Sequence, residues 1–263
     1  IETTSSQDSE ILIAELSENN FYAFEQNDNC LIAYIKEEDF DKAKLNMFMP
    51  QNATYKYSII KERNWNADWE SQFQPVIINN FAGIRASFHK PLEGVMHEII
   101  ITPKMSFGTG HHATTFLMIE LMQAIDFRNK KVLDFGTGTG ILAILAEKSG
   151  AASVLAVDYD DWSINNAIEN INANNCKLII IEQKNNIQGV SGVDIILANI
   201  NLSVLEENAK QISSLLPKDS VLLVSGILSK DENSIVSVFE KNGFVKKQSA
   251  QREDWIALLF GKQ

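Results

Sequence analysis

The run Lys131-Val132-Leu133-Asp134-Phe135-Gly136-Thr137-Gly138-Thr139-Gly140-Ile141-Leu142-Ala143 limits the possible folds more than any other, because a strand, a glycine turn and a helix start follow one another without a spare residue. The apolar, β-branched stretch to Phe135 reads as a buried strand. Three alternating glycines permit a tight turn and a close backbone approach to a ligand, and Ile141 to Lys148 opens a helix. The next apolar run, Val154-Leu155-Ala156-Val157-Asp158, ends on an acid. In a doubly wound sheet that acid stands at the carboxyl end of the neighbouring strand, beside the glycine turn, where a carboxylate can accept both hydroxyl protons of a ribose. A ligand containing a nucleoside is expected there.

Spacing narrows the choice of nucleoside. A dinucleotide site takes G-x-G-x-x-G or A, the third small residue giving close helix packing. That third position is Ile141 here, so the dinucleotide pattern is broken. The G-x-G-x-G that stands instead, preceded by Asp134, is the pattern of S-adenosylmethionine-dependent methyltransferases. No Gly-Lys-Ser/Thr follows, which excludes a phosphate loop. A glycine-rich turn without a ligand is the competing reading, and Asp158 weighs against it.

The rest of the chain alternates strand and helix around this motif. Strands are expected at Val132 to Phe135, Val154 to Asp158, Leu178 to Ile181, Asp194 to Asn199 and Val221 to Ser225, with Gly243 to Lys247 and Trp255 to Phe260 closing the chain. Helices are expected at Thr114 to Ile125, Trp162 to Ala173, Ser203 to Leu215 and Asp231 to Lys241. This is an α/β pattern, a parallel sheet covered by helices on both faces. Only the polar stretch Gln248 to Asp254 separates the last two strands, too little for a crossover, so they must pair antiparallel. A doubly wound sheet ending in such a hairpin is the Rossmann-like class I methyltransferase variant, and short β-like runs at Val76 to Ile78, Ile84 to Phe88 and Glu98 to Ile101 precede it.

Residues 1–57 read as a separate, small α+β unit. Ser5 or Ser6 can cap a helix with Ile11, Leu12 and Leu16 as its apolar stripe; Phe21 to Glu25 and Leu31 to Ile35 are strands joined by the Asn27-Asp28-Asn29 turn. A helix from Glu37 to Phe48 and a strand from Ala53 to Ile60 complete most of a ferredoxin-like order. Its opening strand is nearly missing, and a chain that begins with Ile rather than Met is expected to lack residues before Ile1. Residues 58–75 form the connection, with Trp65 and Trp69 four apart and able to share a helical face. Pinning the two domains together, or facing a substrate, are the roles open to those rings. Residues 76–263 are the methyltransferase domain.

The loop Ser106-Phe107-Gly108-Thr109-Gly110-His111-His112-Ala113-Thr114-Thr115 is the second informative stretch. Two glycines supply hinge freedom, Phe107 an apolar face, and Thr115 lies at a helix start, where hydroxyl and amide groups can meet an anionic group such as an amino-acid carboxylate. His112 reads as a hydrogen-bonded loop anchor or a cofactor contact. Adjacent His111 and His112 diverge, with no acid or cysteine nearby in sequence, so no metal is expected. Cys30 and Cys176 are far apart within apolar runs and read as buried free thiols in a reducing compartment.

Phe107-Gly108-Thr109-Gly110 with His112 and the Thr114-Thr115 pair, then the glycine motif, Asp158 and Ala198-Asn199-Ile200, in this order, resemble the ribosomal protein L11 methyltransferase family almost end to end. The resemblance implies S-adenosylmethionine as cofactor, with Thr115, Gly136, Asp158 and Asn199 as its contacts. Phe107, Thr109, Gly138 and Gly140 are further candidate contacts in the same loop and turn. It also implies a front domain that grips a basic ribosomal protein of the large subunit, and methylation of lysine side chains and the α-amino group. Asn199 is the candidate catalytic residue, its carbonyl orienting the incoming amine. Two departures stand out: Asp161-Trp162 replaces the proline and alanine common after the acidic strand end, and Gln183-Lys184-Asn185 offers no clear acid for an adenine amino group.

Charge agrees with a protein substrate. The chain carries a formal charge of −11, and residues 1–57 hold four basic against eleven acidic side chains. Such a segment repels a phosphate backbone and attracts cationic partners. Solubility alone is the competing reading of this acidity; direct nucleic-acid binding is not expected, nor, with no apolar run of membrane-spanning length, a membrane partner, and a cytoplasmic monomer is expected. Asn199-Ile200-Asn201-Leu202 also lacks the proline and aromatic residue of an Asn-Pro-Pro-Tyr-like tetrad, which marks nucleic-acid and glutamine methyltransferases. The alternatives are a methyltransferase acting on another basic protein or on RNA, or a non-catalytic cofactor-binding scaffold.

Overall fold

The computed structural model describes residues 1, 12–13, 15–27, 30–49, 54–59, 73–104 and 108–263. The expected cap at Ser5 or Ser6, the turn residues Asp28 and Asn29, Trp65, Trp69 and Phe107 lie outside them. The chain divides into two compact units, Ile1–Asp68 and Trp69–Gln263, so the break falls inside the stretch expected as a connection.

In the first unit, β1 (Ala23–Asn27) and β2 (Cys30–Tyr34) form an antiparallel hairpin with Ala23 opposite Tyr34. Leu12, Leu16, Leu31 and Leu45 make its buried core. The helix expected from Glu37 starts later. Residues Glu37–Asp39 close a separate 3-10 turn, and α1 (Lys42–Phe48) begins at Asp41, whose side chain accepts from the amides of Ala43 and Lys44. A short acid satisfying two free amides fixes a helix start more firmly than an apolar stripe does. Residues 54–59, expected as a strand, carry no strand pairing. The Tyr55 hydroxyl bonds Asn46, and the Tyr57 ring lies 5.0 Å from that of Phe40, so side-chain contacts take up the alternation that imitates a strand.

The second unit opens with β3 (Val76–Ile78), β4 (Ala82–Ala86) and β5 (His97–Ile101), β3 antiparallel and β5 parallel to β4. The short crossover between β4 and β5 is held by Arg85, whose Nε and Nη2 donate to Glu98 at 2.8 and 3.0 Å while Nη1 donates to the carbonyls of Ala86 and His89. Glu98 also accepts from the Leu92 amide, and Arg85 is the leading cause holding its carboxyl below the usual range. A buried guanidinium is tolerable because every face of it is satisfied.

The larger sheet follows, with α2 (Ala113–Met122), β6 (Lys131–Phe135), α3 (Ile141–Lys148), β7 (Ser153–Asp158), α4 (Asp161–Ala173), β8 (Ile179–Gln183), β9 (Ile195–Asn199), α5 (Leu202–Leu215), β10 (Val221–Leu228), α6 (Glu232–Lys241), β11 (Phe244–Arg252) and β12 (Trp255–Lys262). Its order is β11-β12-β10-β9-β6-β7-β8, with β12 antiparallel to both neighbours and the other pairs parallel. This is the Rossmann-like sheet with a closing hairpin. β11 runs on to Arg252, leaving Glu253 and Asp254 as the turn, because a polar sequence pairs readily at a sheet edge. Alternate residues serve opposite layers. Val132, Ile195, Leu197, Leu223 and Leu259 pack with α2 and α3, whereas Leu133, Phe135, Ile196, Leu222 and Phe260 pack with α5 and α6. The chain leaves β6 for β7 on one side and returns as β9 on the other, so the strand ends of β6 and β9 flank a crevice suited to a ligand.

Candidate cofactor and active site

The turn after β6 is fixed by three glycines in the left-handed region, with φ of 78° at Gly136, 54° at Gly138 and 79° at Gly140. A side chain at Gly136 would place its Cβ 2.3 Å from Ile200 Cγ2. The amides of Gly136 and Thr137 both donate to the Val157 carbonyl, at 2.9 and 3.0 Å. The Gly138 amide donates to Asp158 Oδ2 at 2.8 Å, and the Asp160 amide to Oδ1 at 3.1 Å. Acid and turn thus meet as the motif requires. Each carboxylate oxygen has capacity for a second donor, as contact with a ribose diol would require.

Beneath the turn, Asp134 is fully buried and accepts from the Thr137 hydroxyl at 2.6 Å. Burial pushes its carboxyl up to about 7, against the pull of that hydrogen bond, and the charge of Asp158 adds to the rise.

The second half of the site comes from the loop before α2 and from the end of β9. His112 caps α2, its Nδ1 accepting from the Thr114 amide and lying 2.8 Å from the Thr114 hydroxyl, while its ring stands edge-on to Trp255 at 5.1 Å. It is the loop anchor that one of its two readings describes. His111 Nε2 lies 2.9 Å from the Gln74 carbonyl, and Thr109 Oγ1 lies 3.4 Å from His111 Nδ1. Thr115, in the first turn of α2, is 1% exposed. Its hydroxyl accepts a long hydrogen bond, 3.4 Å, from Asn199 Nδ2, joining two candidate residues 84 positions apart. Asn199 Oδ1 is buried and has no hydrogen-bond partner among the described residues. An acceptor left in that state suits an N–H donor such as an ammonium or amine.

The family model for "Ribosomal protein L11 methyltransferase (PrmA)" matches residues 2–263. The chain belongs to the ribosomal protein L11 methyltransferase family. A relative of that name from Porphyromonas gingivalis is 39% identical over 260 residues, covering 95% of this chain and 90% of its own. One from Bacteroides thetaiotaomicron is 35% identical over 260 residues, covering 95% and 93%. The crystal structure of ribosomal protein L11 methylase from Lactobacillus delbrueckii subsp. bulgaricus superposes with a TM-score of 0.68 at 29% identity, covering 73% of this chain and 100% of that one. As a member of the family, the chain is an S-adenosylmethionine-dependent methyltransferase.

Several contacts that build the site in this L11 methyltransferase family member are not given by the motifs themselves. Ile200 is wedged between two glycines: a Cβ on Gly226, where φ is 85°, would stand 2.2 Å from its carbonyl oxygen. Helix α4 turns Asn166, Asn170 and Asn174 inward, four apart, and they bond the backbone of Ile100, Thr102 and Thr139. The repeat of Asn at every fourth position is the signal that could have found them. At the end of β8, Gln183 Nε2 donates to the Tyr159 carbonyl, and Glu182, one residue earlier, is an acid paired with Lys184.

Proposed function

We propose that this chain transfers methyl groups from S-adenosylmethionine to lysine side chains and the α-amino group of ribosomal protein L11, in the cytoplasm, with Thr115, Gly136, Asp158 and Asn199 holding the cofactor. Gly138 and Gly140 complete the backbone cradle, and Phe107 and Thr109 belong to the adjoining loop. The observation that carries this reading is the meeting of Thr115 with Asn199 beside the glycine turn, with Asn199 Oδ1 buried and unpaired among the described residues. The bound cofactor supplies a methyl group activated by a sulfonium. The chain supplies position, which is most of what an in-line displacement needs. Asp158 takes the ribose hydroxyls, and Asn199 Oδ1 accepts an amine N–H so that the nitrogen lone pair faces the methyl.

The amine must first be neutral. For a lysine with an ordinary pKa of about 10.4, this costs about 4.6 kcal/mol at pH 7, and burial beside a cationic group lowers that cost. The acidic front unit serves to draw in the basic protein, whose charges complement the excess of acids in residues 1–57.

Transfer of tritiated methyl groups into purified L11, followed by mass mapping, tests the reading. Label is expected on lysines and the N-terminus. Label in RNA alone, or cofactor binding without turnover on any basic protein, would favour the alternatives. Asp158→Ala is expected to weaken cofactor binding by about 1.5–3 kcal/mol, the scale of a charged hydrogen bond; calorimetry showing unchanged affinity would remove the ribose assignment.

A further inference from the structure

Thr139 stands in the middle of the glycine turn, fully buried, and gathers both ends of the segment between β5 and α2. Its hydroxyl donates to the Gly108 carbonyl at 2.6 Å. Its own carbonyl accepts from Asn170 Nδ2 at 2.8 Å, and Asn170 Oδ1 accepts from the Thr102 amide at 2.7 Å. A Cβ on Gly108, where φ is 106°, would lie 2.9 Å from Thr139 Oγ1, so glycine is what lets the two backbones come this close. From Gly108 the chain has only four steps to the cap at His112 and seven to Thr115.

The hydroxyl is not needed to shape the turn, since the glycines on either side set that backbone and a valine would occupy the same volume. What the hydroxyl does is tie the turn to the stem that carries Thr115. We infer that Thr139 is a positioning residue: its hydrogen bond to Gly108 links the glycine turn to residues 108–115, so that ligand held by the turn also fixes Thr115 against Asn199. This rests on the cofactor site proposed above. It adds to that site a coupling between the turn and the cap of α2.

The test compares Thr139→Val, which keeps the shape and removes the donor, with Thr139→Ser, which keeps the donor. Calorimetry with S-adenosylmethionine gives affinity, and amide hydrogen exchange of residues 108–115 and 136–140, with and without that ligand, gives the coupling. In wild type and Thr139→Ser, ligand is expected to slow exchange in both segments, with dissociation constants within about twofold of each other. In Thr139→Val, residues 136–140 and Thr115, which touch the ligand themselves, still respond, residues 110–112 fall back to their ligand-free exchange, and the dissociation constant rises about tenfold, the effect of one well-made hydrogen bond. Gly108→Ala breaks the same contact from the other side and is expected to uncouple the segments likewise, which decides the matter if the valine variant does not fold. Protection of residues 110–112 at the wild-type level in Thr139→Val, or no rescue by serine, overturns the inference while leaving the cofactor site standing. A wild-type chain that binds no S-adenosylmethionine overturns both.

Discussion

The two units differ in how firmly their residues are held. Among the described residues, the front unit rests on Leu12, Leu16, Leu31 and Leu45, with partly buried aromatics around them. The large unit encloses its sheet between two apolar layers, and its site is further tied by Asp158, Thr139 and the asparagines of α4. A small core buries little apolar surface and opens at low cost, whereas a doubly covered sheet does not. On the function proposed above, the chemistry accounts for the difference, because methyl transfer demands fixed positions and protein recognition demands chiefly charge and surface.

The strongest way to break this division is to separate its halves. A chain lacking residues 1–68 is expected to bind S-adenosylmethionine within about twofold of wild type and to lose at least about 1,000-fold in methyl transfer to L11, since binding energy from the remote surface is used at the reacting atoms. Normal transfer by the truncated chain would show that the large unit recognises the substrate alone. Within the large unit, Gly226→Ala forces a left-handed alanine onto the Ile200 carbonyl. Denaturant unfolding is expected to show a loss of about 3–5 kcal/mol, strain and overpacking combined.

Leu45→Ala sharpens the contrast from the other side. Leu45 is 7% exposed in the front core, and its truncation is expected to cost about 2–4 kcal/mol. Calorimetry is expected to resolve an early transition of the front unit while cofactor affinity is unchanged. A single transition, shifted as a whole, would mean that the units unfold as one.

The same contrast decides what could be read from sequence. The turn, Asp158 and the parallel sheet were legible because their signals are local: glycines where φ must be positive, an acid at a strand end, apolar runs of strand length. Thr115 is legible as a hydroxyl at a helix start, whereas Asn199 and its pairing with Thr115 come only through family resemblance, since nothing local says that residues 84 apart will touch. Asn166, Asn170 and the cap residue Asn174 are not legible in the sequence, because polar residues on a helix suggest a wet face, and only the packing of α4 on β5 turns them inward. In the front unit the signals conflict. Alternating Tyr55 and Tyr57 imitate a strand but serve side-chain contacts, and Asp41 overrides the apolar pattern that would start a helix at Glu37.

Taken per unit of pH, the smallest expected effect is that of Asp134, and it too should separate the units. Burial holds the Asp134 carboxyl at about 7, well above the ordinary 3.8. In the unfolded chain the group ionises near its ordinary value, so from about pH 4 to about pH 7 the folded state binds more protons. Stability from this group is complete at low pH, falls as pH rises through that window, at no more than about 1.4 kcal/mol per unit, and then levels off. Asp134→Asn keeps a neutral polar side chain beside Thr137 and removes the slope. Denaturant midpoints followed between pH 4.5 and 7.5 are expected to converge at the acid end relative to the variant and to diverge toward neutrality, in the transition of the large unit alone. Parallel curves would mean that Asp134 is already ionised in the folded chain at the acid end, stabilised by the Thr137 hydroxyl against its burial. The price of an acid beneath the turn would then be met by hydrogen bonding and not by a retained proton.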